Sequence, residues 1–125
     1  MARILIAEDE VTLGTMCARA LAIDGHEVET TCDGSEALEA LTREQGRFDL
    51  LLTDVRMPIM DGIALALAAA RDFPELTILL MTGYADQRER AQGLDALIHD
   101  VISKPFSVAA LRGAVNEALA VKARG

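Results

Sequence analysis

The sequence predicts an α/β fold, a doubly wound parallel sheet covered by helices on both faces. Three observations carry the prediction. Short β-like runs and helix-like stretches alternate five times along the chain. The first run, Ile4-Leu5-Ile6-Ala7, is continuously apolar, as expected of a strand buried on both faces. A length of 125 residues, 51% hydrophobic, suits one domain with its own core and leaves no room for a second.

Each element has its own signal. In residues 10–24, Leu13, Met16, Cys17, Ala20 and Leu21 recur at helical spacing, and Gly25 supplies a stop. Residues 27–31 alternate polar and apolar, the pattern of an edge strand. Asp33 stands three residues before Glu36, a capping-box pattern that opens a helix through Leu38 and Leu41. Residues 48–53 form a second strongly buried strand that ends at Asp54. An alanine-rich helix over 63–72 stops near Pro74, and residues 77–81 form the next strand, followed by Thr82. A polar helix is expected over about 86–94. The last strand lies within 97–103. The final helix places Val108, Leu111, Val115 and Leu119 on one stripe and ends near Ala120. Five such units with right-handed crossovers suit the flavodoxin-like strand order 2-1-3-4-5.

Charge and composition close off several functions. Twenty acidic against twelve basic residues give a net charge of −8, the wrong sign for a nucleic-acid surface. Aromatic residues make up 3% of the chain, too few for a base-stacking platform. No apolar run is long enough to span a bilayer, and the first residues lack a signal-peptide pattern, so a cytoplasmic protein is expected. Cys17 and Cys32 lie on unrelated segments without redox or metal spacing, and His26 and His99 have no second ligand near them in sequence. Lysine is scarce, with only Lys104 and Lys122 against ten arginines. No role is expected of Lys122 beyond the tail.

In a doubly wound sheet, ligands bind beyond the carboxyl ends of the strands, where the strand order reverses. Those ends carry Glu8, Asp9 and Glu10 after the first strand, Asp54 after the third, Thr82 after the fourth and Lys104 after the fifth. Clustered carboxylates repel one another, and a hard divalent cation relieves the repulsion. Mg²⁺ in particular accepts one or two carboxylates together with phosphate oxygens and water. Asp9 and Asp54, with Glu8 directly or through water, therefore read as a Mg²⁺ site awaiting a phosphoryl group. Asp54, at the end of a buried strand, is the candidate nucleophile, because a carboxylate can form an acyl phosphate. Lys104 would meet the phosphoryl oxygens as a point charge, and Thr82 would donate a hydroxyl hydrogen bond. Glu10 is explained as well by a position in the first turn of a helix.

These residues resemble the receiver domain of two-component response regulators. The resemblance rests on Glu8-Asp9, on the run from Asp54 through Pro58 to Asp61-Gly62, on Thr82 after Met81, and on Lys104-Pro105-Phe106. It spans essentially the whole chain and implies a single receiver domain over 1–125 with no output domain. It implies phosphoryl transfer from a histidine kinase or histidine phosphotransferase to Asp54, with Mg²⁺ held by Glu8, Asp9, Asp54 and the backbone carbonyl of Arg56. Thr82 and Lys104 would hold the phosphoryl oxygens, while Pro58, Gly62 and Pro105 would shape the loops around them. Arg56 and Tyr84 would flank the acceptor and tune hydrolysis of the acyl phosphate. Many receivers carry an aromatic switch residue three before the lysine; here that position is Val101, and Tyr84 would either take over part of that reporting or pack its ring over the cleft with its hydroxyl in water. The stretch 81–100 is similar to that of stand-alone receivers that control proteolysis by ClpXP. A phosphorelay intermediate and a regulator of a kinase or motor are the alternatives within the family.

Two other classes fit less well. A haloacid-dehalogenase-type phosphohydrolase also uses a strand-end Asp with Thr and Lys, but wants a second Asp two residues after the nucleophile, where this chain has Arg56. A flavodoxin-like electron carrier wants a phosphate loop after the first strand, where Glu8-Asp9-Glu10 would repel phosphate.

Overall fold

The computed structural model describes residues 2–83, 91 and 93–124. Among them, five strands form one sheet: β1 (Arg3–Ala7), β2 (Glu27–Thr31), β3 (Leu50–Asp54), β4 (Thr77–Thr82) and β5 (Asp100–Ser103). All pairings are parallel and the order is β2-β1-β3-β4-β5, as the alternation of elements predicts. Four helices accompany them: α1 (Val11–Ile23), α2 (Gly34–Arg43), α3 (Gly62–Asp72) and α4 (Val108–Arg124). The polar helix expected over about 86–94 falls largely on residues outside the described ones.

The strands split the core in two, because successive side chains point to opposite faces. Leu5, Leu51, Ile78 and Leu80 face α2 and α3, where they meet Ala37, Leu41, Leu65 and Ala69. Ile4, Ile6, Leu50, Leu52 and Leu79 face α1 and α4, where they meet Cys17, Leu21, Leu111 and Val115. All five residues of β3 are buried, which is why its sequence lacks alternation. Each fully buried Leu or Ile here contributes about 1.5–3 kcal/mol relative to exposure.

Side chains fix where helices begin. The Asp33 carboxylate accepts from the Glu36 N–H at 2.8 Å, and Glu36 reaches back to the Cys32 N–H at 3.1 Å. That is the capping pattern with its return bond displaced by one residue. Asp61 opens α3 by accepting from the Ala64 N–H, and Ser107 opens α4 by accepting from the Ala110 N–H. Gly25, at φ 88°, takes the left-handed turn that ends α1.

Three boundaries differ from the sequence expectation by two residues or more. The strand expected from Phe48 begins at Leu50, because the Asp49 carboxylate is taken by the Arg3 N–H at 2.8 Å. The last strand is confined to Asp100–Ser103, since residues 93–97 form turns. Helix α4 continues past Ala120 to Arg124, and Lys122 ties its last turns to the Asp49 carbonyl at 3.1 Å.

Candidate functional site

Parallel register brings the strand ends level. Ala7 pairs with Thr53, so Glu8 and Asp54 emerge side by side, and Asp54 in turn pairs with Met81 and Thr82 with Ser103. These ends open on a cleft of about 910 Å³ whose polar wall includes Glu8, Asp9, Asp54, Arg56 and Lys104. Glu8 is 2% exposed and Asp54 6% exposed, unusual burial for carboxylates and one that demands partners. The Lys104 ammonium supplies them, donating to Glu8 Oε1 at 2.8 Å and to Asp54 Oδ2 at 2.9 Å. The second Glu8 oxygen accepts from the Glu10 N–H at 3.0 Å. Glu10 itself, at the start of α1, makes no side-chain cap.

Glu8, Asp9 and Asp54 each offer an oxygen, and these atoms lie within 4.8 Å of one another. A hard, oxygen-ligated cation such as Mg²⁺ suits that donor set. The electrostatics agree. Partial burial, then the hydrogen bond and charge of Glu8, push the Asp9 carboxyl above its ordinary range. Burial opposes the Lys104 charge, but hydrogen bonds and charges from Glu8 and Asp54 outweigh it and hold the ammonium above the usual lysine range. The arrangement can therefore neutralise a compact anion at Asp54 with a lysine on one side and a cation on the other.

The loop after Asp54 is fastened at several points. The Val55 N–H donates to the Met81 carbonyl at 3.0 Å, and the Gly62 N–H to the Val55 carbonyl at 2.8 Å. A Cβ on Gly62 would overlap the Asp54 carbonyl oxygen, so only glycine closes the loop this tightly. Between them Pro58, Ile59 and Met60 make a three-residue turn in which the Met60 N–H reaches the Pro58 carbonyl at 2.8 Å. Ile59 takes φ 69° there, a strained conformation for a β-branched residue, with its side chain 85% exposed. The Met60 carbonyl accepts from the Gly34 N–H, which joins the acceptor loop to α2.

The remaining expected site residues divide. Thr82 ends β4 and is buried, and its carbonyl accepts from the Lys104 N–H at 2.7 Å. Pro105 follows Lys104 through a cis peptide, and Arg56 stands exposed at the rim. Val101 is half-buried and packs on the α2–α3 side of the sheet. Tyr84 lies outside the described residues. The apolar wall of the cleft, lined by Leu13 and Met16 of α1 and by Phe106, was not legible in the sequence. The helical stripe and the Lys-Pro-Phe run were each visible, but not their meeting. Cys17 is buried, and burial first, with Glu8 nearby, pushes its thiol up to about 11, which leaves it unreactive at neutral pH.

The parallel sheet and the acidic cleft at its carboxyl edge are those of a receiver domain, a signalling module. The chain belongs to the response regulator receiver domain family, whose model matches residues 4–116. Among relatives, the response regulator receiver protein CpdR of Brucella abortus is 40% identical over 117 residues, covering 94% of this chain and 93% of CpdR. The transcriptional regulatory protein TcrA of Mycobacterium tuberculosis is 34% identical over 106 residues, 85% of this chain. The chain spans only 41% of TcrA, and 50% of the response regulator MprA of Mycobacterium leprae. A CheY-like receiver domain protein from Methanospirillum hungatei superimposes with a TM-score of 0.90 at 28% identity, over 99% of this chain and 98% of that one. The response regulator TrrA of Thermotoga maritima, solved in complex with Mg²⁺-BeF, gives 0.82 at 26% identity, over 94% and 99%. No helix among the described residues is long and apolar enough to cross a membrane.

Proposed function

We propose that this chain accepts a phosphoryl group on Asp54 from a phosphohistidine of a histidine kinase or histidine phosphotransferase. The observation that carries the reading is the buried Asp54 carboxylate at the end of the central strand, bonded to Lys104 and grouped with Glu8 and Asp9. An Asp54 oxygen attacks phosphorus, the phosphorus–nitrogen bond breaks, and its electron pair leaves with the imidazole, which takes up a proton. Mg²⁺, when bound, neutralises charge on the phosphoryl oxygens. Glu8, Asp9, Asp54 and the Arg56 carbonyl would hold it. Lys104 and the Thr82 hydroxyl orient the oxygens after transfer, and Arg56 at the rim, together with Tyr84 two residues after Thr82 in the sequence, tunes hydrolysis of the acyl phosphate. Incubation with acetyl phosphate and Mg²⁺ should add one phosphoryl mass to the wild type and none to Asp54→Ala. Modification persisting in Asp54→Ala would overturn the assignment.

The similarity to CpdR across 93% of that protein favours one output over the others. Residues 1–125 act as a single receiver unit in the cytoplasm, and the output is a change in protein contacts that controls ClpXP proteolysis. The unphosphorylated form is the one that engages ClpX. In a pull-down, Asp54→Ala should retain ClpX and the phosphorylated wild type should lose it. Equal retention in both, or none in either, would favour a relay intermediate or a regulator of a kinase or motor.

A further inference from the structure

Lys104 begins a short stretch that leaves the sheet toward two helices at once. Its N–H is pinned to the Thr82 carbonyl, while its ammonium is held by Glu8 and Asp54. Two residues on, the half-buried Phe106 ring shares the cleft wall with Leu13 and Met16 of α1. The same ring packs on the core cluster that contains Leu111 and Val115 of α4. Ser107 follows directly and caps α4. Phe106 therefore stands where the lysine, α1 and the first turn of α4 meet. Val101 packs on the other side of the sheet, with the α2–α3 cluster, and is one of the smaller apolar side chains.

We propose that Phe106 is a positioning residue that couples the Lys104 ammonium to the α1–α4 face. The proposal rests on the reading of Asp54 as the acceptor. Modification of Asp54 replaces one carboxylate charge by a phosphoryl group carrying roughly −1.5 to −2 charges, set further out in the cleft. The ammonium follows that charge. With the Lys104 main chain held at Thr82, the adjustment passes forward through Pro105 rather than back along β5. Residues 104 to 106 span at most about 7 Å, so the ring lies within reach of a shift at Lys104. An aromatic side chain moves as a rigid plate with two torsions, and Phe106 packs on the core cluster to which α1 and α4 both contribute. The face it serves already exposes Val11, Met16 and Val108.

The chain contains no tryptophan, so Phe106→Trp installs a single fluorescent reporter at the seam. Loading with Mg²⁺ and beryllofluoride is followed separately by fluorine NMR of the bound anion. Emission of Phe106→Trp should shift on loading. Amide exchange in α1 and in the first turn of α4 should change on loading in the wild type and in Phe106→Tyr, and stay unchanged in Phe106→Leu. A loaded but silent Phe106→Trp, or a Phe106→Leu protein whose α1 and α4 amides respond as in the wild type, would overturn the proposal. Failure of the wild type to load would instead overturn the acceptor reading beneath it. Should the tryptophan variant not fold, the exchange comparison of Phe106→Tyr with Phe106→Leu decides alone.

Discussion

Asp9 carries the electrostatic cost of the cleft. Its charge is opposed by burial and by Glu8, and Lys104 offsets this only in part. Asp9→Asn should therefore raise the urea midpoint measured without divalent ion, while weakening Mg²⁺ binding by about 10–100-fold, the loss seen even for outer-sphere partners. Calorimetric titration with Mg²⁺ reads the second effect. At the other end of the sheet Asp24 behaves oppositely. The Arg112 guanidinium, with Nε 2.9 Å away, holds its carboxyl below the ordinary carboxylate range. A depressed carboxyl stabilises the folded state fully above the unfolded value, about 3.9, and loses that contribution as pH falls through the folded one. Arg112→Met should thus lower stability at neutral pH and flatten the acid limb of a stability–pH curve measured by urea unfolding. Single residues were legible where the fold rule pointed at them. Asp54 and Lys104 stand at strand ends, and the rule places strand ends in the cleft. Lys122 was not legible, because its partner Asp49 lies 73 residues away and joins it only through packing of α4.

At the level of elements, the acceptor loop is the tightest join. A methyl group on Gly62 has no space beside the Asp54 carbonyl, so Gly62→Ala must push the strand end or the start of α3 aside. A loss of about 1–3 kcal/mol in chemical denaturation is expected, with slower phosphorylation by acetyl phosphate. Leu52 tests the core instead. It is fully buried toward α1 and α4, and Leu52→Ala should cost about 2–5 kcal/mol in the same measurement. Element identity was readable from period alone, since helical spacing in residues 13–21 and the apolar run 4–7 admit one reading each. Boundaries were not, because they depend on distant partners. Asp49 leaves β3 to serve Arg3, and Lys122 prolongs α4. The strained turn at Ile59 gave no local signal at all, since nothing in Pro-Ile-Met demands a positive φ; its closure comes from Gly34 and Gly62 on either side.

For the molecule as a whole, the sheet order followed from counting units, and the place of the cleft followed from the order. That the core has two sides followed from the same alternation, but the seam at Phe106 did not, because it requires knowing which helix covers which face. Binding to the cleft alone should stabilise the whole fold. With free anion and Mg²⁺ at 100 times the dissociation constant, a gain of about 2.7 kcal/mol is expected. A thermal melt should show it for the wild type and lose it on chelation or in Asp54→Ala.

Asp49 has one more consequence. It receives the Arg3 N–H from the start of β1 and the Lys122 ammonium from the end of α4, so both flanks of the chain are moored at the pole of the sheet opposite Asp54. Sequence joined at either side, whether a fluorescent tag or a second protein, departs from that pole and casts no shadow over the acceptor. The two flanks are also neighbours, which makes the domain a natural candidate for circular permutation or for insertion into a host loop with its cleft facing outward.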